Sequence, residues 1–277
     1  MVSPISIQGY EGSFHQVAAQ QFFGTSIEVL PCATFKEVLS AVRSGQTGAG
    51  MMAIENSIAG SIMPNYNLLQ QSGLTIAGEV YLQIGQHLLA NPGVTLDDIR
   101  EVHSHPMALQ QCLPFLEKYG WKLVETADTA LSAKQVHQYK SRHIAAIAGK
   151  LAAKLFHLNL LAPNIHSEKN NYTRFLAVRK EKGAVEKADK ASLSFHTDHS
   201  RGSLAKVLGI IAEKGINLSK LQSFPIPGTD FKYRFHIDME FEDPAQFEAA
   251  VQAMAPFTEA ITVFGVYRNG KQKEKKS

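Results

Sequence analysis

Short apolar runs alternate with helix-patterned segments from residue 5 to residue 179, and few architectures accept that rhythm. ISIQ (5–8) reads as a strand, and SFHQVAAQQFF as a helix with Ser13 and Gln16 at capping-box spacing. IEVLP is the next strand and TFKEVLSAVRSG the next helix, with Thr34 and Glu37 at the same spacing and Gly45 at its stop. GAGMMAIE reads as a buried strand, uncharged until Glu55. The alternation continues through LTIAGEVYLQIGQHLLA, EVHSHP, MALQQCLPFLEKYG (a helix ending at Gly120), WKLVET, DTALSAKQVHQY, IAAIAGKLAAKLFHL and RFLAVRK. Strand alternating with helix predicts α/β layering with largely parallel sheets. The chain has no glycine pattern of the GxGxxG or Walker type, so nothing supports a nucleotide site.

The rhythm changes after EKGAVEKADK (181–190), a charged, weakly apolar stretch that reads as a linker. Residues 191–268 then follow the order βαββαβ, the ferredoxin-like motif. A small half-open sheet leaves an exposed edge, so pairing with a second copy is expected. Residues 269–277 read as a basic, solvated tail. KQKEKKS carries four lysines and one glutamate, which accounts for the whole formal net charge of +3. The folded body is therefore near neutral and offers no basic face to nucleic acid. A hydrophobic content of 44 % is enough for a substantial core. Cys32 and Cys112 lie far apart with no CxxC spacing, which argues against a disulfide framework or zinc site and for reduced thiols in the cytosol. The N-terminus lacks a signal-peptide pattern, and no segment has the length of a membrane span. These features predict a soluble cytoplasmic protein.

Five polar clusters stand at strand ends in the first 180 residues. GYEGSF (9–14) places two glycines around a strand-to-helix turn, bringing helix-start N–H groups within reach of a ligand. AIENSIAGS puts Glu55, Asn56 and Ser57 just past a buried strand. SHPMALQQC does the same with Ser104 and His105, and Pro106 suits a first helical turn. ADTALSA supplies Asp128 and Thr129 as helix starters, for which capping alone is a sufficient reading. NNYTRF (170–175) crowds two amides, a phenol, a hydroxyl and a guanidinium ahead of an apolar strand. Ligands of open α/β sheets bind at the carboxyl ends of strands, and helix N-termini there favour carboxylates or phosphates.

Taken in order, GYEGSF, AIENSIAGS, SHPMALQQC, DTALSA, AAIAG and NNYTRF resemble the prephenate dehydratase family over nearly the whole chain. Residues 191–268 resemble the ACT regulatory module that follows the catalytic domain in that family, with GSLAKVL (202–208) in place of its GALxxVL element. The resemblance implies a two-lobed catalytic domain over residues 1–180, like a type II periplasmic binding protein, with prephenate in the cleft. It implies a hydro-lyase that converts prephenate to phenylpyruvate without metal or organic cofactor. It places the family's essential threonine on Thr173, the Glu-Asn pair on Glu55 and Asn56, and the SHP segment on Ser104, His105 and Gln111. Ser57, Thr129, Asn171, Arg174 and Phe175 join Ser104 as substrate-binding candidates.

The resemblance also implies feedback by phenylalanine and association into a homodimer or dimer of dimers. The effector candidates are Gly202, Ser203, Leu204, Ala205, Gln222, Ser223 and Pro225, with Leu204 and Val207 offering an apolar wall. Three positions depart from the family pattern: Tyr10 in the first motif, Met107 after His-Pro, and QSFP (222–225) in place of ESRP. For the substrate that the resemblance implies, Thr173 is a hydrogen-bond donor to the departing oxygen, and Glu55 and His105 both stand as proton sources. Arg174 either pairs with a substrate carboxylate or braces its loop. Two rival readings are an arogenate dehydratase and a non-catalytic amino-acid sensor with a binding-protein-like cleft.

Overall fold

The computed structural model describes residues 3–181, 183, 185–198, 200–226, 228–229 and 232–271. Contacts divide the chain into two units, residues 1–72 with 80–177, and residues 73–79 with 178–277. Among the described residues no helix is long and apolar enough to cross a membrane.

The first unit opens with β1 (Ile5–Gln8), α1 (Phe14–Phe23), β2 (Val29–Cys32), α2 (Phe35–Ser44) and β3 (Ala49–Asn56). A two-residue strand β4 (Gly60–Ser61), α3 (Met63–Ser72) and β5 (Thr75–Gln83) follow. The chain then builds a second sheet through β6 (His87–Ala90), β7 (Glu101–Ser104), α4 (Pro106–Leu116), β8 (Lys122–Glu125), α5 (Thr129–Tyr139), β9 (Ile144–Ala148), α6 (Lys150–Leu155) and β10 (Asn159–Ala162). It returns to the first sheet as β11 (Tyr172–Arg179), inserted between β3 and β5. The strand orders are β2-β1-β3-β11-β5, with β4 paired to β3, and β10-β6-β9-β7-β8.

β1 runs parallel to β2 and β3, and β7 parallel to β8 and β9, as the alternation predicts. β6 is antiparallel to both β9 and β10, so the second sheet is mixed rather than largely parallel. LTIAGEVYLQIGQHLLA, one continuous apolar run in the sequence, is two strands of two different sheets. β6 enters its sheet from the other one, so no crossover helix constrains it to run parallel.

Two helix starts follow a shared variation on the capping box. Ser13 Oγ accepts from Gln16 N at 3.4 Å, while Gln16 Oε1 accepts from Gly12 N at 2.6 Å, one residue ahead of the cap. Thr34 Oγ1 accepts from Glu37 N at 3.2 Å, and Glu37 Oε2 from Ala33 N at 2.9 Å. Both side chains satisfy an N–H just outside the helix, which fixes the angle at which the chain enters. α2 ends as its sequence requires, on Gly45 in the left-handed region at φ 82°. Its Val38, Leu39 and Val42 are buried on one helical face, each contributing about 1.5–3 kcal/mol.

The second unit has the order βαββαβ: β12 (Lys190–His196), α7 (Ser203–Glu213), β13 (Asn217–Pro225), β14 (Tyr233–Glu240), α8 (Pro244–Met254) and β15 (Glu259–Tyr267). Its antiparallel sheet runs β13-β14-β12-β15. Ala191, Leu193 and Phe195 alternate into a core shared with Val207, Ile211, Phe247 and Met254 of the two helices. Ser192 and Ser194, on the other face, are buried too, and Ser192 Oγ is bonded to Asp238 Oδ1 and Tyr267 Oη. The first half of β5 belongs to this unit: a Cβ on Gly265 would come within 2.3 Å of Ile76 O, so only glycine fits there.

Two boundaries drawn from the sequence move. Lys190, read as the end of a linker, is the first residue of β12 and fully buried, with Nζ 3.0 Å from Glu79 Oε1 and 3.7 Å from Glu240 Oε1. Asn269 and Gly270, read as tail, are tied in: Asn269 N donates to Asp189 Oδ1 at 2.5 Å and Gly270 N to Glu79 Oε1 at 3.1 Å. Residues 272–277 of that tail, and Lys182 and Ala184 of the linker, lie outside the described residues.

Candidate active site

NNYTRF is held by the loop that follows β3. Asn56 Nδ2 donates to Asn171 Oδ1 at 2.7 Å, Thr173 Oγ1 at 3.0 Å and Tyr172 O at 3.2 Å. Asn56 Oδ1 accepts from the N–H groups of Ile58 and Ala59 at 3.0 and 2.9 Å, which fixes which end of the amide faces NNYTRF. Ser57 laces the same two segments: its Oγ donates to Asn170 O at 3.0 Å and accepts from Tyr172 N at 2.9 Å. Asn171, fully buried, donates from Nδ2 to Gln111 Oε1 at 3.2 Å. Residues from three separated parts of the chain thereby lock into one polar network.

That network forms part of the wall of a cavity of about 280 Å³. On its wall are Asn56, His105, Gln111, Thr129, Asn171, Thr173 and Phe175, seven of the eleven residues the sequence nominates for catalysis or substrate binding. The carboxyl ends of β1 and β3 and the starts of α1, α4 and α5 all reach it, the placement expected of open α/β sheets. Thr173 Oγ1 accepts from Asn56, and its own hydrogen has no acceptor among the described residues, leaving it to donate into the cavity. His105 Nδ1 accepts from Met107 N at 3.2 Å, so in the neutral ring the proton sits on Nε2.

The other four nominated residues stand elsewhere. Arg174 follows Thr173 on β11 and, by the two-residue period of a strand, points to the opposite face. It is 4 % exposed, with its guanidinium 6.0 Å from the Tyr81 ring centroid, so it is not a carboxylate clamp in this cavity. Ser104 is fully buried and donates to Ile147 O at 2.7 Å, fastening β7 to β9 beneath the site. Ser57 is an exposed lacing residue. Glu55 pairs with Ser61 in the β3–β4 ladder and is not on the cavity wall.

Sequence reasoning missed Gln8, His15 and Gln86, and saw Asp128 only as a cap. Asp128 does cap α5, with Oδ1 accepting from Ala130 N at 2.7 Å and Leu131 N at 3.0 Å, but it also lines the cavity. Burial pushes its carboxyl above the usual range, against the pull of those two N–H bonds and of His105. Gly9, at φ 92°, makes room for it: a Cβ there would lie 2.8 Å from Asp128 Oδ2. His15 Nε2 and Gln86 Oε1 are buried without a hydrogen-bond partner among the described residues. Burial drives the His15 ring down to about 4, and Phe175 stands edge-on to it at 5.0 Å. A histidine in the second position of a helix and a glutamine inside an apolar run carry no local signal of such roles.

The seven effector candidates are less concentrated. Gly202 caps α7 at φ 81° and Ser203 Oγ donates to Thr197 Oγ1 at 3.0 Å. Of the seven, only Ser203 lines a described cavity, one of about 210 Å³ with Asp198, Lys206 and Phe257. Leu204 packs against the core, Ala205 is exposed, and Gln222, Ser223 and Pro225 lie on the edge strand β13. Val207 is fully buried and offers no wall to a ligand.

Among the described residues no lysine or arginine stands on the wall of the Thr173 cavity. The N–H groups of Phe14, His15 and Thr129, in the first turns of α1 and α5, have no partner among the described residues. Helix-start amides, hydroxyls, side-chain amides, imidazoles and the Asp128 carboxyl are therefore the polar groups at this cleft.

The family model "Prephenate dehydratase" matches residues 5–183. Arogenate dehydratase/prephenate dehydratase 1 of Arabidopsis thaliana, a chloroplastic protein, is 34 % identical over 280 residues, covering 95 % of this chain and 71 % of that protein. Among solved structures, prephenate dehydratase from Arthrobacter aurescens in complex with L-Phe aligns with a TM-score of 0.86 at 27 % identity, over 97 % of this chain and 91 % of that one. GqqA, described as a novel type of quorum quenching acylase, aligns at 0.87 with 31 % identity over 97 % and 99 %. The chain belongs to the prephenate dehydratase family, whose members are lyases.

Proposed function

We propose that this protein converts prephenate to phenylpyruvate in the Thr173 cleft. In that reaction the bond between the ring and its carboxylate breaks, carbon dioxide departs, and the electron pair completes the aromatic ring. The hydroxyl on the opposite ring carbon leaves and takes up a proton to become water. The observation that carries the reading is the hold of Asn56 on Thr173 Oγ1, which leaves the threonine's own hydrogen free to donate into the cavity. That hydrogen bond strengthens as charge builds on the departing oxygen. A threonine hydroxyl is too weak an acid to supply the proton outright. His105, with its Nε2–H, and Asp128, with its raised carboxyl, stand on the wall as protic groups, and Glu55 does not line it. The substrate's carboxylates meet the amides of Phe14, His15 and Thr129.

Purified protein mixed with prephenate alone should form phenylpyruvate, and Thr173→Ala should lower turnover by roughly a hundredfold with the fold intact. Thr173→Ser should retain part of the activity. No product, or an alanine variant with normal turnover, sinks the assignment.

A second substrate, arogenate, is favoured by one feature. Its ammonium needs acceptors, and the buried Oε1 of Gln86 and the carboxyl of Asp128 both line the cavity. Parallel assays on the two substrates decide between them. Acylase chemistry has less support, because Ser104 and Cys112 are both buried off the cavity wall. Ser104 Oγ is buried and committed to Ile147 O, and burial pushes the Cys112 thiol up to about 12.

The second unit we read as an ACT module that binds phenylalanine and joins two or four copies of the chain. The βαββαβ order, the L-Phe complex of the Arthrobacter aurescens relative and the exposed Leu221 on the edge strand β13 support this. Phenylalanine titrated into the activity assay, with the molecular mass followed by light scattering, tests both halves. Neither inhibition nor association would remove the regulatory reading and leave the catalytic one standing.

A further inference from the structure

The segment from Leu82 to His87 has a cavity on each side. Ile84 and Gln86 face the Thr173 cleft, while Leu82, Gly85 and His87 face a second cavity of about 690 Å³. Five basic side chains line the second one: Lys150, Lys154, Lys169, His87 and His166. Among the described residues no aspartate or glutamate lines it.

The two histidines are built in. His87 and His166 are 2 % and 4 % exposed. His87 Nδ1 accepts from Asn164 N at 3.0 Å, and His166 Nδ1 accepts from Gln86 N at 3.2 Å. A backbone N–H can only donate, so each neutral ring carries its proton on Nε2 and has a donor to offer. Burial, then Lys150 and His166, drive His87 down to about 4, and burial and Lys169 lower His166, with the Gln86 backbone and Glu168 pulling the other way. Both rings thus stay uncharged at neutral pH. Lys169 Nζ is held over Asn164 O, at 2.6 Å, and His166 O. Lys150 and Lys154 are one turn apart on α6, a spacing at which like charges repel. Phe14, Val17, Leu82 and Leu151 give the cavity an apolar wall.

We propose that this second cavity binds a small dianion with an apolar ring or chain attached, a phosphate monoester or a dicarboxylate. Three ammonium groups without a carboxylate among them leave a local excess of positive charge that a dianion neutralises. Two fixed Nε2–H donors add hydrogen bonds that need no reorganisation. The volume is that of an ordinary small-molecule site, and its apolar wall takes the rest of the ligand.

The test is calorimetric titration of the whole chain at low salt with phenyl phosphate and, separately, phenylmalonate. Saturable binding of one or both is expected, weakened about tenfold or more by Lys150→Gln with Lys154→Gln and by added salt. Both lysines are exposed, so the double variant keeps its fold, which circular dichroism verifies. Gln111→Leu, on the wall of the other cavity, should leave the affinity unchanged. Phenyl phosphate alone binding identifies a phosphate ester, and phenylmalonate alone a dicarboxylate. No saturation by either at about 10 mM, an affinity indifferent to the lysine substitutions, or binding abolished by Gln111→Leu overturns the proposal.

Discussion

Gln86 is 4 % exposed and its Oε1 has no partner among the described residues, an arrangement that costs about 1–3 kcal/mol unless a ligand or water meets it. Gln86→Leu replaces the orphan by an apolar group of similar size, so thermal stability should rise while kcat/KM on the accepted substrate falls. A variant that is more stable and fully active would show that the carboxamide never touches substrate. Asn56 and NNYTRF were legible because their polar motifs flank apolar strands, whereas Gln111, inside α4, was placed by the family resemblance. Gln86 was not, because a glutamine among Gln83, His87 and apolar neighbours reads the same whether it caps, crosses or lines a cavity. Arg174 shows the converse: TRF suggested a cation beside the threonine, and the pleat turned it away.

At the scale of elements, the cleft is a meeting of helix starts. Asp128 holds both a cap and a place on the wall. Because burial raises its carboxyl pKa in the fold, the folded chain binds a proton more tightly than the unfolded one does. Its ionised form therefore lowers stability above the carboxylate range, and the penalty fades as pH falls through that range. Asp128→Asn keeps an oxygen for the Ala130 and Leu131 N–H groups without the charge. The variant should match or exceed the parent in urea midpoint at pH 7, with the gap closing towards pH 4. A variant clearly less stable at neutral pH would show that the charge, and not only the oxygen, supports α5. Strand and helix identities here were legible because each segment's period and caps agree. Strand direction in the second sheet was not, since it depends on which sheet β6 enters.

Across whole units, buried charge and buried imidazole set the vulnerabilities. In the second unit, Lys190 and Glu79 are buried ion partners. Lys190→Met should destabilise by about 3–5 kcal/mol by leaving Glu79 uncompensated, and adding Glu79→Leu should recover most of it. Chemical denaturation of the four proteins of that cycle measures it, and equal losses in single and double variants would contradict it. In the first unit, His15 and His87 both have pKa values near 4 in the fold against 6.5 in an open chain. Between those values the unfolded chain binds protons that the folded one refuses, so stability should fall as pH drops from about 6.5 to about 4 and level off below. His15→Asn and His87→Asn should each flatten the urea midpoint over that window. A midpoint independent of pH there would exclude buried neutral rings.

The sequence by itself determined what local rules can write: the βα alternation, the caps at Ser13, Thr34 and Asp128, the change to βαββαβ, and the polar motifs at strand ends. Each depends on residues a few positions apart, so period and composition suffice to read them. Only the tertiary structure decided what depends on distant segments meeting. It joined Asn56 to Thr173 across 117 positions, buried His15 and Gln86 on one wall, and turned Arg174 and Ser104 away from it. It also drew residues 73–79, Lys190 and Asn269 into the second unit. Burial and partner choice are set by which surfaces come together, and a linear pattern records only which residues are able to be there.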